Sequence, residues 1–164
     1  MLKNIFFDLD GTLTDSAPGI MNSIRYALEK MDYPIPDEAT LRLFVGPPLT
    51  DSYMEVCGMT EEEAFKGLEL YRVYFADKGM FENLPYPGIK ECLKELKDKG
   101  FRMFLATSKP EEYAKIIMDH FELSEYFCDI CGASMDEKRN TKDAVIQYCM
   151  DKNNIAPEET IMIG

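Results

Sequence analysis

The 164-residue chain is short of positive charge: 18 Lys and Arg stand against 30 Asp and Glu, a formal net charge of -12. A nucleic-acid or anionic-membrane binder needs a basic face that displaces counterions, so neither partner is expected. A small anion would have to be met by a few local cations or by a metal ion. Apolar runs of membrane-spanning length are absent, and the opening, Met-Leu-Lys-Asn and a short apolar stretch with two aspartates, is too short and too acidic for a secretory signal. A cytoplasmic protein is the expectation. Repeats are lacking, and histidine occurs once, at His120. The five cysteines (57, 92, 128, 131 and 149) are odd in number and lack disulfide-like spacing, which fits reduced thiols. Cys128 and Cys131 spell C-x-x-C, but with no second pair and one distant imidazole the segment reads as a short buried strand ending at Gly132.

What is present is alternation. Residues 3–7, Lys-Asn-Ile-Phe-Phe, form a buried-type strand that runs into Asp-Leu-Asp-Gly-Thr, a turn marked by Gly11. From about 16 to 84 the spacing is helical: Ile20, Ile24, Ala27 and Leu28 share one face, and a second amphipathic stretch starts at Thr60 and carries Leu68, Tyr71 and Phe75. Pro85 and Pro87-Gly88 then return the chain to a helix with Ile89, Leu93 and Leu96 that ends at Gly100, and a strand over 101–106. A helix over 111–121, a strand over roughly 126–131, a helix over 141–152 and a strand beginning at Thr160 follow. Strands alternating with helices predict an α/β fold, a three-layer Rossmann-like parallel sheet. An insertion of about 70 residues after the first strand is longer than a crossover and predicts a separate helical cap: 1–15 with 85–164 as the core, 16–84 as the cap.

Ligands of such a sheet collect outside the carboxyl ends of its strands. Asp8 and Asp10, Thr107 and Ser108 lie just past strands, and Lys142 opens a helix on the expected rim. Two carboxylates two residues apart repel and resist burial unless a cation relieves them. Magnesium suits them, because it prefers oxygen ligands and binds through one or two carboxylates plus substrate phosphate. Asp8 is the candidate nucleophile, and Asp10 the acid and base that protonates the leaving oxygen and later deprotonates water. Gly11 admits close approach of backbone to phosphate, and Thr12 is expected to fix the turn through its hydroxyl. Thr107 and Ser108 supply hydrogen-bond donors and Lys142 the positive charge that a transferring phosphoryl group requires. Singly these residues would be read as caps, strand ends or solvated charges; their order on successive element ends makes them a site.

Ile5-Phe-Phe-Asp-Leu-Asp-Gly-Thr-Leu-Thr-Asp15 resembles the first motif of the haloacid dehalogenase superfamily, hhhhDxDGT. Phe104-Leu-Ala-Thr-Ser-Lys-Pro110 is similar to its second motif, and Thr141-Lys-Asp-Ala-Val-Ile146 to its third. Lys138 and Arg139 compete for the third-motif role, but lie in a polar loop rather than at the helix start. The insert resembles the C1 cap of the phosphoglycolate phosphatase-like branch, which makes Phe44–Leu49 a candidate recognition segment and Arg42 its nearest cation. The resemblance implies magnesium-dependent hydrolysis of a small phosphorylated metabolite through an aspartyl-phosphate, with Asp8 and the Asp10 carbonyl on the metal. Family members follow Ile-Met-Ile-Gly with an acidic pair; here Gly164 is the last residue, so weak magnesium binding and slow or absent turnover are expected of these 164 residues, and activity of a longer chain. A phosphotransferase of the beta-phosphoglucomutase type shares every core residue, and a phosphate-binding remnant is a further alternative. A dehalogenase does not fit Asp10-Gly11. A two-component receiver is disfavoured because it places its phosphorylated aspartate on a later strand and has no such insert.

Overall fold

The computed structural model describes residues 1–164, which divide into two compact units, Met1–Thr14 with Pro85–Gly164 and Asp15–Leu84. The first holds a four-stranded parallel sheet in the order β5-β4-β1-β6, made of β1 (Asn4–Phe7), β4 (Arg102–Pro110), β5 (Asp129–Ala133) and β6 (Thr160–Ile163). The chain passes between units at two short extended segments that pair with each other, β2 (Thr14–Asp15) and β3 (Leu84–Pro85).

Both parities of β1 and β4 are buried, so the sheet is covered on both faces, the pattern of a parallel sheet between helix layers. On one face Phe6, Phe104, Ala106 and Cys131 pack against Val145 and Cys149 of α7 (Lys142–Asn153), with Ile155 closing the edge. The Phe6 and Phe104 rings lie 5.5 Å apart at a tilt. Ile5, Phe7, Met103 and Leu105, of opposite parity, are buried as well. α6 (Glu111–His120) packs against β4 and β5, and α5 (Ile89–Asp98) buries Leu93.

β1 pairs with β4 on one side and with β6, the last strand, on the other. Strand order therefore reverses at β1, and its carboxyl end is the place where such sheets leave a crevice. β4 runs further than the sequence suggests. Ala106 pairs with Cys131 but Pro110 pairs with Ala133, so β4 takes four steps where β5 takes two. The extra residues make an irregularity of the bulge kind that re-aims side chains, and it falls on Thr107, Ser108 and Lys109. β5 lies a few residues later than expected, because 124–126 forms a 3-10 turn instead. Cys128 precedes β5 and is exposed, while Cys131 is buried, so the expectation of one buried strand through both cysteines is corrected.

The second unit is helical: α1 (Ala17–Lys30), α2 (Glu38–Leu41), α3 (Leu49–Cys57) and α4 (Glu61–Asp77). α1 buries Ile20, Ile24, Ala27 and Leu28 at helical spacing. α4 starts with a capping box: the Thr60 hydroxyl accepts the Glu63 N–H at 3.3 Å, and the Glu63 carboxylate accepts the Thr60 N–H at 2.8 Å. Three glutamates in its first turn complement the positive end of the helix. Gly67 allows α4 to meet the Tyr53 ring, since an added Cβ would lie 3.2 Å from a ring carbon. Phe44, expected in a recognition loop, is instead buried with its ring on edge to Tyr53 at 5.3 Å. No helix is long and apolar enough to cross a membrane.

Candidate active site

Asp8 is the first residue past β1. Its N–H continues the ladder to the Ile163 carbonyl at 2.9 Å, and its Oδ1 accepts the Leu9 N–H at 2.8 Å. These bonds direct Oδ2 toward Lys142, whose Nζ lies 2.5 Å away and also donates to the Ala106 carbonyl at 3.4 Å. Lys142 reaches this point because it is the first residue of α7, whose preceding residue Thr141 caps the helix by accepting the Ala144 N–H at 3.3 Å. Both partners keep some solvent access, with side chains 21% and 35% exposed for Asp8 and Lys142.

The following turn is held by the main chain. Leu9 O accepts from the N–H groups of Thr12, Leu13 and Thr14, and Gly11 N–H donates to Thr14 O at 2.8 Å. Backbone bonds therefore do the work expected of the Thr12 hydroxyl. Gly11 has φ +78°, a left-handed conformation glycine adopts without strain.

Asp10 is the more enclosed carboxylate. Its Oδ2 pairs with Lys109 Nζ at 3.2 Å, where the two side chains are 12% and 5% exposed, and its Oδ1 is buried with no hydrogen-bond partner. The Thr107 hydroxyl, also buried, accepts the Lys109 N–H at 3.2 Å and so shapes the segment that presents this lysine. Ser108 is half-buried beside it. Lys109 is absent from the candidates read from the sequence. Its sequence signal is a lysine two residues beyond a strand-ending threonine, in a polar segment that reads as loop, and the β4 irregularity that turns it toward Asp10 is not legible there.

A second missed residue is Gly164. An added Cβ there would lie 2.7 Å from Asp8 Cβ, so a glycine lets β6 come close beside Asp8. Arg42, by contrast, sits in the helical unit with its exposed guanidinium 3.1 Å from Glu38, the ordinary pairing of residues one helical turn apart. The rivals of Lys142 are engaged elsewhere. Lys138 lies 3.3 Å from Asp136. Arg139 lies over the Tyr148 ring at 3.7 Å and donates to the Gly132 carbonyl at 3.1 Å.

The site therefore holds two carboxylates, two ammonium groups and a buried hydroxyl at the carboxyl ends of adjacent strands. No group of three or more His, Cys, Asp or Glu is gathered that would cage a metal by itself. The donors that are present, the Asp8 carboxylate and the main-chain carbonyl of Asp10 two residues on, are hard oxygens. They fit magnesium, which is commonly held by one or two carboxylates, water and a substrate phosphate. Away from the rim, Cys131 and Cys149 are buried; hydrogen bonding to Cys149, with burial, pushes the Cys131 thiol well above its usual range, so it is not a ready thiolate.

Comparisons with known proteins agree with this geometry. Residues 5–164 match the family model described as haloacid dehalogenase-like hydrolase. A 5'-nucleotidase from Pseudomonas aeruginosa is 39% identical over 161 residues, covering 98% of this chain and 73% of that protein. Tyrosine-protein kinase PtkA from Mycobacterium tuberculosis is 36% identical over 98% of this chain, which spans 54% of the kinase's length. A phosphoglycolate phosphatase from Vibrio parahaemolyticus is 30% identical, with 99% and 75% covered. Among solved structures, a predicted phosphatase from Clostridium acetobutylicum superimposes with a TM-score of 0.97 at 49% identity, over all of this chain and 76% of that one. The chain belongs to the haloacid dehalogenase-like hydrolase family.

Proposed function

We propose that this protein is a phosphoric monoester hydrolase that uses magnesium and passes the phosphoryl group through Asp8. The observation that carries this reading is the 2.5 Å pairing of the Asp8 carboxylate with Lys142 at the strand-order reversal, beside the enclosed Asp10 and Thr107. Asp8 Oδ2 attacks phosphorus and the bond to the leaving oxygen breaks, while Asp10 gives that oxygen a proton. Asp10 then takes a proton from water, which attacks phosphorus and releases Asp8 and inorganic phosphate. Lys142 supplies fixed positive charge to the phosphoryl oxygens, and Thr107, Ser108 and the backbone at Gly11 supply donors and room.

Magnesium, when bound, would be held by Asp8 and the Asp10 carbonyl with substrate oxygens and water, and would offset the negative charge collected there. The substrate is a small phosphorylated metabolite, a class supported by relatives named for a nucleotide and for phosphoglycolate. We assign its selection to the helical unit, which the chain inserts between Asp10 and Thr107.

The likeness to a kinase supports a second reading, transfer to an acceptor other than water. Release of inorganic phosphate from a panel of nucleoside monophosphates, sugar phosphates and phosphoglycolate, with and without magnesium, separates the two. Hydrolysis predicts phosphate release that needs magnesium and vanishes in Asp8→Asn. Magnesium-independent release, or release that survives Asp8→Asn, would overturn the proposal.

A further inference from the structure

Lys109 is the charged group at this site that the proposed chemistry does not use. A lysine enclosed to this degree gives up hydration that must be replaced by partners, and the Asp10 carboxylate is one. The pair is one-sided. Lys109 holds Oδ2, while Oδ1 is buried and lacks any partner. Lys109 is placed by an irregular stretch of β4 in which the Thr107 hydroxyl accepts its N–H. On the far side, its carbonyl lies against Gly132, where an added Cβ would come within 2.6 Å of Lys109 O. Two strands, β4 and β5, thus fix the backbone from which this ammonium reaches one oxygen of Asp10.

We propose that Lys109 is a positioning residue for proton transfer: by holding Oδ2 it fixes the carboxyl group of Asp10 in the orientation that gives a proton to the leaving oxygen and later takes one from water. The inference rests on the function proposed above and assigns a distinct duty to each ammonium. Lys142, on Asp8, serves the phosphoryl group; Lys109, on Asp10, serves the proton. In the first step the bond from Asp8 to phosphorus forms, the phosphorus–oxygen bond to the leaving group breaks, and the Asp10 proton moves to that oxygen. In the second, the Asp10 carboxylate accepts a proton from water as the oxygen of water bonds to phosphorus and Asp8 leaves.

The consequence is selectivity by leaving group. An alkyl phosphate expels a poor leaving oxygen and needs the proton; p-nitrophenyl phosphate expels a stable phenolate and does not. The test compares kcat/KM for a primary alkyl phosphate that the protein hydrolyses with kcat/KM for p-nitrophenyl phosphate, in the parent and in Lys109→Met. General acid catalysis contributes about 10²- to 10⁴-fold, so kcat/KM for the alkyl ester falls by about 100-fold or more and that for the aryl ester by less than about tenfold. With p-nitrophenyl phosphate the variant also gives a burst of about one nitrophenolate per site, because the later deprotonation of water is slowed.

Should Lys109→Met not fold, Lys109→Arg is read instead. It keeps a charge on Asp10 but moves the carboxylate, and it shows the same selective loss in smaller degree. Equal losses on both esters, or no loss, would overturn the assignment of Lys109 while leaving Asp8 as nucleophile untouched. Activity that survives Asp8→Asn on both esters would instead strike at the proposed function itself.

Discussion

Replacing Lys142 by methionine separates catalysis from stability. In the folded protein Lys142 is the first residue of α7, where a cation opposes the helix dipole at a cost of about 0.3–1 kcal/mol. Its pair with Asp8 offsets that cost, but both side chains are partly solvated and such pairs contribute about 0.2–1 kcal/mol once screening is counted. The two contributions nearly cancel, and methionine keeps the length and most of the apolar stem. Urea unfolding of Lys142→Met should therefore give a stability within about 1 kcal/mol of the parent, in either direction.

Catalysis should respond very differently. Removing one group aimed at charge that develops in the transition state costs about 10²- to 10³-fold in kcat, so phosphate release at saturating substrate should fall by at least about 100-fold. The decisive quantity is the contrast between the two measurements on one sample. A loss of stability above about 3 kcal/mol would make Lys142 a structural residue. Phosphate release within threefold of the parent would remove it from the site altogether.

Three further outcomes follow from close contacts and from charge. Gly132→Ala places a Cβ 2.6 Å from both Glu111 Cα and Lys109 O, and backbone cannot yield as a flexible side chain can. It should cost about 1–3 kcal/mol by urea unfolding, and an unchanged stability would contradict the packing described. Gly164→Ala drives a Cβ to 2.7 Å from Asp8 Cβ; displacing a reacting group by about 1 Å can cost about 100-fold, so kcat should drop at least tenfold, and an unchanged kcat would refute the close approach.

Burial, the largest influence on Asp129, pushes its pKa up, but hydrogen bonds from Lys152 and Asn153, the Lys152 charge and the Ile130 N–H together bring it below the usual carboxylate value. A carboxyl group lowered on folding stabilises fully above its unfolded value of about 3.9, and loses that contribution as pH falls through the folded value. Asp129→Asn should therefore be less stable than the parent at neutral pH, with the gap closing below about pH 4; a gap that widens on acidification would reverse the sign.

Much of the architecture was legible because each element carries its own signals. The apolar run at residues 5–7 before two aspartates, the capping residues at Thr60 and Thr141 and the 3.6-residue spacing of α1 and α4 depend on neighbours in sequence. What was not legible depends on residues distant in sequence. β4 continues past Ala106 because β5 lies beside it and accommodates the irregularity, a matter of pairing between strands 20 or more residues apart. Lys109 became a partner of Asp10 only through that irregularity. Phe44 looked like loop because prolines follow it, but its burial against Tyr53 is a tertiary contact that local spacing does not reveal. Gly164 reads as the last letter of a strand, and only the parallel pairing of β6 with β1 reveals that it lies against Asp8.

The central claim is that the carboxylate of residue 8 itself carries the phosphoryl group between leaving oxygen and water. Quenching a reacting sample and treating it with borohydride reduces an aspartyl-phosphate to homoserine, which mass spectrometry of the digested chain locates. The account predicts homoserine at position 8 only when substrate and magnesium are both present, and none in Asp8→Asn; phosphate release proceeding with Asp8 unmodified throughout, or homoserine at another aspartate, would contradict it.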